Sequence, residues 1–225
     1  MEIAVRHSPS FAVARATLDA GEAIQAEAGA MMATSAGVGI EARMQGGLRG
    51  AFKRSVLGGE SLFLSTFSAP PQGGWVDVAA RLPGDLIVLD VVRAYNLSRG
   101  SYLCSESSIG IDTKFGGFGN VFGGEGGFLV RVEGTGKVVA SCYGALDRLE
   151  LAAGETVVVD SGHMVAYSDG VEMQLRRVAK GIMQSVKSGE GFVFDFTGPG
   201  VVWVQSRNPD EFVDWLTVRL PFARE

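Results

Sequence analysis

Histidine and cysteine are almost missing from this chain, two of each in 225 residues, and their scarcity removes whole classes of chemistry. Cys104 and Cys142 show no CxxC spacing and no dense pattern, so neither a disulfide framework nor a thiolate zinc site is indicated. Both read as reduced, half-buried strand residues of a cytoplasmic protein. His7 and His163 are too few for a histidine-rich metal site. Long apolar runs are missing too. The longest uncharged stretch, residues 61–76, is broken by Pro70-Pro71 and Gly73-Gly74 and falls short of the roughly 20 apolar residues a spanning helix needs. Membrane contact is therefore at most peripheral. The N-terminus lacks the basic start and apolar core of a secretory signal. Positive charge is in deficit, 20 Lys and Arg against 25 Asp and Glu for a net charge of −5. No general field draws the chain to phosphate, and nucleic acid is not expected as a partner.

Glycine abounds instead, at 32 residues, spread between short Val, Ile, Leu and Phe runs. That pattern specifies many short strands joined by tight turns. Val171-Glu172-Met173-Gln174-Leu175-Arg176 alternates apolar and polar residues, as a strand with one wet face does. One helix is expected over 208–220. Asn208 can cap it, Pro209 fits its first position, Asp210 and Glu211 lie in the first turn, and Phe212, Trp215 and Leu216 would hold it on the β core.

The stronger signal is repetition. Gly58-Gly59-Glu60, Gly123-Gly124-Glu125 and Ser188-Gly189-Glu190 recur at one spacing, each before a strand-like run. Gly-acid turns at Gly21-Glu22, Gly84-Asp85 and Gly154-Glu155 precede them. Inside the units, Gly29-Ala30-Met31-Met32, Gly100-Ser101-Tyr102-Leu103 and Gly162-His163-Met164-Val165 fall in register. The expected fold is all-β: a single domain, 1–225, of three tandem β-sandwich-like repeats at about 11–69, 70–134 and 135–207. They would pack around a pseudo-threefold axis, with the helix appended.

Several runs, Asp112-Thr113-Lys114-Phe115-Gly116-Gly117-Phe118, Phe122-Gly123-Gly124-Glu125-Gly126, Tyr143-Gly144-Ala145-Leu146, Asp160-Ser161-Gly162-His163 and Gln205-Ser206-Arg207-Asn208-Pro209, resemble the altered-inheritance-of-mitochondria family, a domain of unknown function. The resemblance covers nearly the whole chain. It implies a fold similar to the tryptophan RNA-binding attenuation protein, in triplicate. It also implies, for mitochondrial members, an association with inner-membrane organisation, and it brings no agreed catalytic residues. Fold alone does not carry function.

Three sets of residues remain as candidates. Glu60, Glu125 and Glu190 could converge on a threefold axis and hold a hard cation, but a carboxylate after a Gly-Gly turn more simply accepts backbone N–H bonds. Asp160 and His163 could form half of an acid–base pair, yet no nucleophile stands in a recognisable setting, and a hydrogen-bonded turn is the simpler reading. Phe115, Phe118 and Phe122 punctuate a Gly-rich segment whose spacing matches no phosphate loop; they form a candidate interaction loop.

The resulting expectation is a non-enzymatic scaffold or interaction protein without a cofactor. It would form a homo-oligomer, a trimer ahead of a dimer, and engage a protein partner. The alternatives are RNA binding by analogy with the attenuation-protein fold, and a metal- or small-ligand-binding enzyme using the repeated Glu residues.

Overall fold

Short β-branched and aromatic runs between glycine turns form strands, because such side chains pack on a pleated surface while glycine lets the chain reverse. The structure is a computed structural model and describes residues 1–44, 63–115, 128–177 and 192–220. After β1 (Glu2–Arg6) come β2 (Val13–Leu18), β3 (Ala23–Glu27), β4 (Met31–Thr34), β5 (Gly39–Met44), β6 (Phe63–Ser68) and β7 (Gly74–Ala79). A second set of six comprises β8 (Leu86–Val91), β9 (Tyr95–Ser98), β10 (Tyr102–Glu106), β11 (Gly110–Phe115), β12 (Phe128–Glu133) and β13 (Gly136–Ser141). The third comprises β14 (Leu146–Leu151), β15 (Thr156–Asp160), β16 (Met164–Ser168), β17 (Glu172–Arg177), β18 (Phe192–Thr197) and β19 (Gly200–Gln205), followed by α1 (Pro209–Arg219). The described residues form an all-β fold with a C-terminal helix. Among the described residues no helix is long and apolar enough to cross a membrane.

One antiparallel pairing scheme is met in all three sets. The first strand pairs with the sixth (β2–β7, β8–β13, β14–β19) and the sixth with the third (β7–β4, β13–β10, β19–β16). The second pairs with the fifth and the fifth with the fourth. The sixth-to-third pairing carries a bulge at the same place each time, between Met31 and Ala33, Tyr102 and Cys104, and Met164 and Ala166. These are the positions that the Gly29, Gly100 and Gly162 marks bring into register.

Two other marks fall differently. Gly21-Glu22 and Gly154-Glu155 open β3 and β15, but Gly84-Asp85 opens β8, one strand earlier in its set. The reason lies in a close approach: Gly84 bridges Gly144, and a Cβ at Gly84 would strike the Cys142 carbonyl. That glycine therefore serves backbone contact. The boundaries expected at 69/70 and 134/135 fall between the fifth and sixth strands of the first two sets. The sixth strand returns to pair with the first, a long-range pairing that turn spacing does not show.

Neighbouring sets are joined through β3–β10 and β9–β16, the second strand of one to the third of the next. The joins make two six-stranded sheets, β5-β6-β3-β10-β13-β8 and β11-β12-β9-β16-β19-β14. A four-stranded sheet, β1-β2-β7-β4, and a three-stranded sheet, β15-β18-β17, remain at the ends. The two strands that a closed threefold arrangement would join, β4 and β15, are both sheet edges.

The core follows the joins. Leu18, Ile24, Phe67, Val76 and Val78 of the first set pack with Leu103 and Val139 of the second. Leu97, Tyr102, Val132 and Val138 of the second pack with Val165 and Trp203 of the third. Val159, Tyr167, Phe194, Phe196 and Val202 form a smaller cluster within the third. Each fully buried side chain of this size contributes about 1.5–3 kcal/mol.

The helix has the expected cap, with Asn208 Oδ1 accepting from Asp210 N at 2.9 Å, but it is not held on the core as expected. None of its residues is buried. Phe212 reaches the Tyr143 ring at 5.8 Å, while Trp215 is half exposed, stacked on Phe212 and covered by Arg219.

Candidate functional site

Polar groups gather where the three sets meet, at the ends of β3, β9, β13 and β19. A cleft of about 240 Å³ is lined by Glu27, Arg81, Ser98, Arg99, Tyr143 and Gln205, among others. Glu27 sits 3.4 Å from Arg81, and burial pushes its carboxyl above the usual range, a shift that the Arg81 charge partly offsets. Arg81 also donates to the Ala28 carbonyl at 3.4 Å, and the hydroxyls of Ser98 and Ser101 share a hydrogen bond of 2.7 Å. The space is below the roughly 300–1,000 Å³ of typical small-molecule pockets, which suits a few waters or a small polar group.

Gln205 is the hub beneath this cleft. It is buried at the end of β19. Its Oε1 accepts from Tyr143 N at 2.8 Å and its Nε2 donates to Gly162 O at 2.9 Å. One side chain thus ties the turn after β13 to the 3-10 turn Ser161–His163. Asp160 and His163 belong to this hub and are engaged separately. Asp160 Oδ1 accepts from Gly162 N at 2.9 Å, capping the turn. His163 Nδ1 lies 2.6 Å from the Gln205 carbonyl oxygen, which only accepts, so the hydrogen sits on Nδ1. The arrangement positions backbone.

The other candidates fall elsewhere. Glu60, Glu125 and Glu190 lie outside the described residues, as do Phe118 and Phe122; Phe115 ends β11 and nothing is described of its side chain. Among the described residues no three His, Cys, Asp or Glu side chains gather as metal ligands would. Burial raises both thiols, Cys104 to about 12, so neither is a ready nucleophile at neutral pH.

An ion pair that the sequence reading did not single out lies on the sheet β1-β2-β7-β4. Asp77 is buried on β7 and is gripped by Arg15 through both oxygens at 2.8 Å, with Arg6 adding a third bond at 2.9 Å. The Arg15 guanidinium rests 3.9 Å over the Trp75 ring. Hydrogen bonding from Arg15, then Arg6, holds the Asp77 carboxyl below its usual range. Sequence offers no signal for this triad or for Glu27 and Arg81, because distant register alone brings them together.

Fold and site together define a β protein whose described strands pair antiparallel and whose described polar clusters fasten turns and strands. The chain belongs to the AIM24 family, described as mitochondrial biogenesis AIM24, whose sequence profile matches residues 3–207. It is similar to an uncharacterized protein of Streptococcus pyogenes serotype M6, 29% identical over 98% of this chain and 92% of that one. It is also similar to the crystal structure of a Streptococcus pyogenes protein, 26% identical, with a TM-score of 0.83 over 97% of this chain and 99% of that chain.

Proposed function

We propose that this AIM24-family chain is a non-enzymatic, cytoplasmic scaffold or interaction protein: three tandem copies of one β unit that assemble with further copies of the same chain and present a surface to a protein partner. The observation that carries this reading is the placement of Met31 and Met32 on β4 and Val158 on β15, large apolar residues 42%, 54% and 53% exposed on the outer strands of two sheets. Apolar side chains on an unpaired strand edge invite another chain to pair. The polar groups of the central hub, by contrast, are spent on caps and backbone bonds.

The test is purification at native abundance from the source cell, with co-purifying proteins, lipids and RNA each identified and the stoichiometry of the chain to itself measured. The reading expects a self-assembled chain with a protein partner in fixed ratio. A co-purifying RNA of defined sequence, or a small molecule that the purified chain converts, would overturn it.

A further inference from the structure

The cleft at the meeting of the three sets is lined by two arginines, Arg81 and Arg99, and by one carboxylate, Glu27. The turns around it occupy equivalent places. Glu27, Ser98 and Asp160 stand two residues before Gly29, Gly100 and Gly162, and Arg81, Tyr143 and Arg207 stand two residues after the ends of β7, β13 and β19. In the third set the acid serves the backbone, for Asp160 accepts from Gly162 N at 2.9 Å. Glu27 has no such bond. Among the described residues its carboxylate accepts no hydrogen bond, and its ion pair with Arg81 spans 3.4 Å.

Arg81 is held as loosely. Its guanidinium is 74% exposed and donates to the Ala28 carbonyl at 3.4 Å. Arg15, by contrast, grips Asp77 at 2.8 Å through both oxygens, the length of a tight charge-assisted bond. A guanidinium carries five N–H donors, so most of those on Arg81 have no acceptor among the described residues. Ser98 and Ser101 add another donor. Their hydroxyls share one hydrogen bond of 2.7 Å, which uses one of two O–H hydrogens and leaves the other for an acceptor that the described residues do not supply.

Donors in excess beside a single carboxylate select a ligand that accepts hydrogen bonds and carries negative charge. A cation would meet two arginines. The space, about 240 Å³, is below that of drug-sized ligands, which keeps the ligand small.

We propose that the cleft binds a small oxyanion, phosphate, sulfate or a short carboxylate, which takes Arg81 from Glu27 and accepts from the Ser98 and Ser101 hydroxyl pair. The site lies within one chain and is independent of self-assembly. Glu27 couples it to pH. Without the anion, burial raises the Glu27 carboxyl and the Arg81 charge partly offsets that rise. A bound anion removes the offset and adds repulsion, so the carboxyl rises further and takes up a proton. Binding is therefore tightest below the anion-free value. It weakens as pH climbs toward the anion-bound value, by up to about tenfold per pH unit for one coupled proton, and is level above it.

The charged and titratable groups around Glu27 are Arg81, Arg99, Tyr102 of β10, and Cys142 and Tyr143 after β13. Arginine keeps its proton, and thiols and phenols ordinarily titrate above neutrality. Burial pushes Cys142 and Tyr102 higher still. His163 bonds the Gln205 carbonyl behind the lining, and a Glu27 variant separates its titration from that of the carboxyl.

The experiment titrates sodium sulfate, whose charge is constant from pH 5 to pH 8, into the isotope-labelled chain at fixed ionic strength and follows the amides of residues 98–101 and 143 by NMR. Saturable shifts at these amides are expected, with a dissociation constant that rises with pH. Arg81→Ala, at a mostly exposed position, should weaken binding roughly tenfold with an unchanged β signal in circular dichroism. Glu27→Gln should bind sulfate at least as tightly as the wild type at pH 5 and lose the pH dependence. Acetate and glycerol phosphate, titrated at one pH, divide the class: whichever outdoes sulfate assigns the ligand to carboxylates or to phosphate esters. No saturable shift in either the wild type or Glu27→Gln would overturn the proposal. So would calcium ion saturating the same amides more tightly in Arg81→Ala, which would make the cleft a cation site. A pH dependence that survives in Glu27→Gln would move the coupled proton to His163 and overturn the role given to Glu27.

Discussion

Met32 and Leu103 hold the same place in the pairing scheme, the residue at the bulge of the third strand, yet one is 54% exposed and the other 1%. Leu103 is covered because the preceding set of strands adds its own sheet alongside β10. β4 is the outer strand of the sheet β1-β2-β7-β4, and among the described strands only β7 pairs with it. The contrast follows the strand order, and among the described residues it leaves Met31 and Met32 of β4 exposed at a sheet edge.

The Asp77 triad makes the sheet that carries β4 acid-sensitive. Its carboxyl titrates lower when folded than when unfolded. The stabilisation is therefore complete above the unfolded value near 3.9 and is lost as pH falls through the lower folded value. Asp77→Asn should cost about 1.5–3 kcal/mol at pH 6, toward the low end because both guanidiniums are about a third exposed. Thermal melts of the wild type and Asp77→Asn from pH 6 to pH 2 should converge at the acid end, and a constant gap across that range would contradict the assignment.

Gln205→Ala should loosen the junction of the three sets. It leaves the Tyr143 N–H and the Gly162 carbonyl without their partner, at a cost of about 1–3 kcal/mol for each group that water cannot reach. Urea denaturation should show a lower midpoint with an unchanged slope.

Both thiols should be silent to an aromatic disulfide reagent in the native protein at pH 8 and react together on unfolding. Cys104 is wholly buried and Cys142 nearly so, and burial raises both. Rapid reaction of one equivalent without unfolding would place a thiol in an accessible, activated setting instead.

Strand content, the helix cap and the register of Met31, Tyr102 and Met164 were all legible in the sequence, because glycine turns, Asn-Pro and local alternation are written within a few residues. The hidden features depend on partners far along the chain. Arg15 meets Asp77 only because β2 pairs with β7, and Glu27 meets Arg81 only where the sets converge. Trp215 at helical spacing from Phe212 reads as a core anchor, but amphipathic spacing shows which face is apolar and says nothing of whether a sheet lies beneath it. The edge strands are the subtlest case. Met31-Met32 and Val157-Val158-Val159 read as strand residues like their counterparts, and only the strand order shows that they lie at sheet edges.

The most direct measurement is amide hydrogen exchange of the wild-type chain across a concentration series, resolved for residues 31–34 and 156–160. Backbone amides on a free edge exchange through small local openings, and pairing with another strand protects them. The account predicts that protection rises in both segments together as concentration rises, while the charged outer strands β14 and β17 keep the rates they have at dilution. Exchange in β4 and β15 that stays fast at every concentration, in a chain that light scattering shows to be assembled, would contradict it.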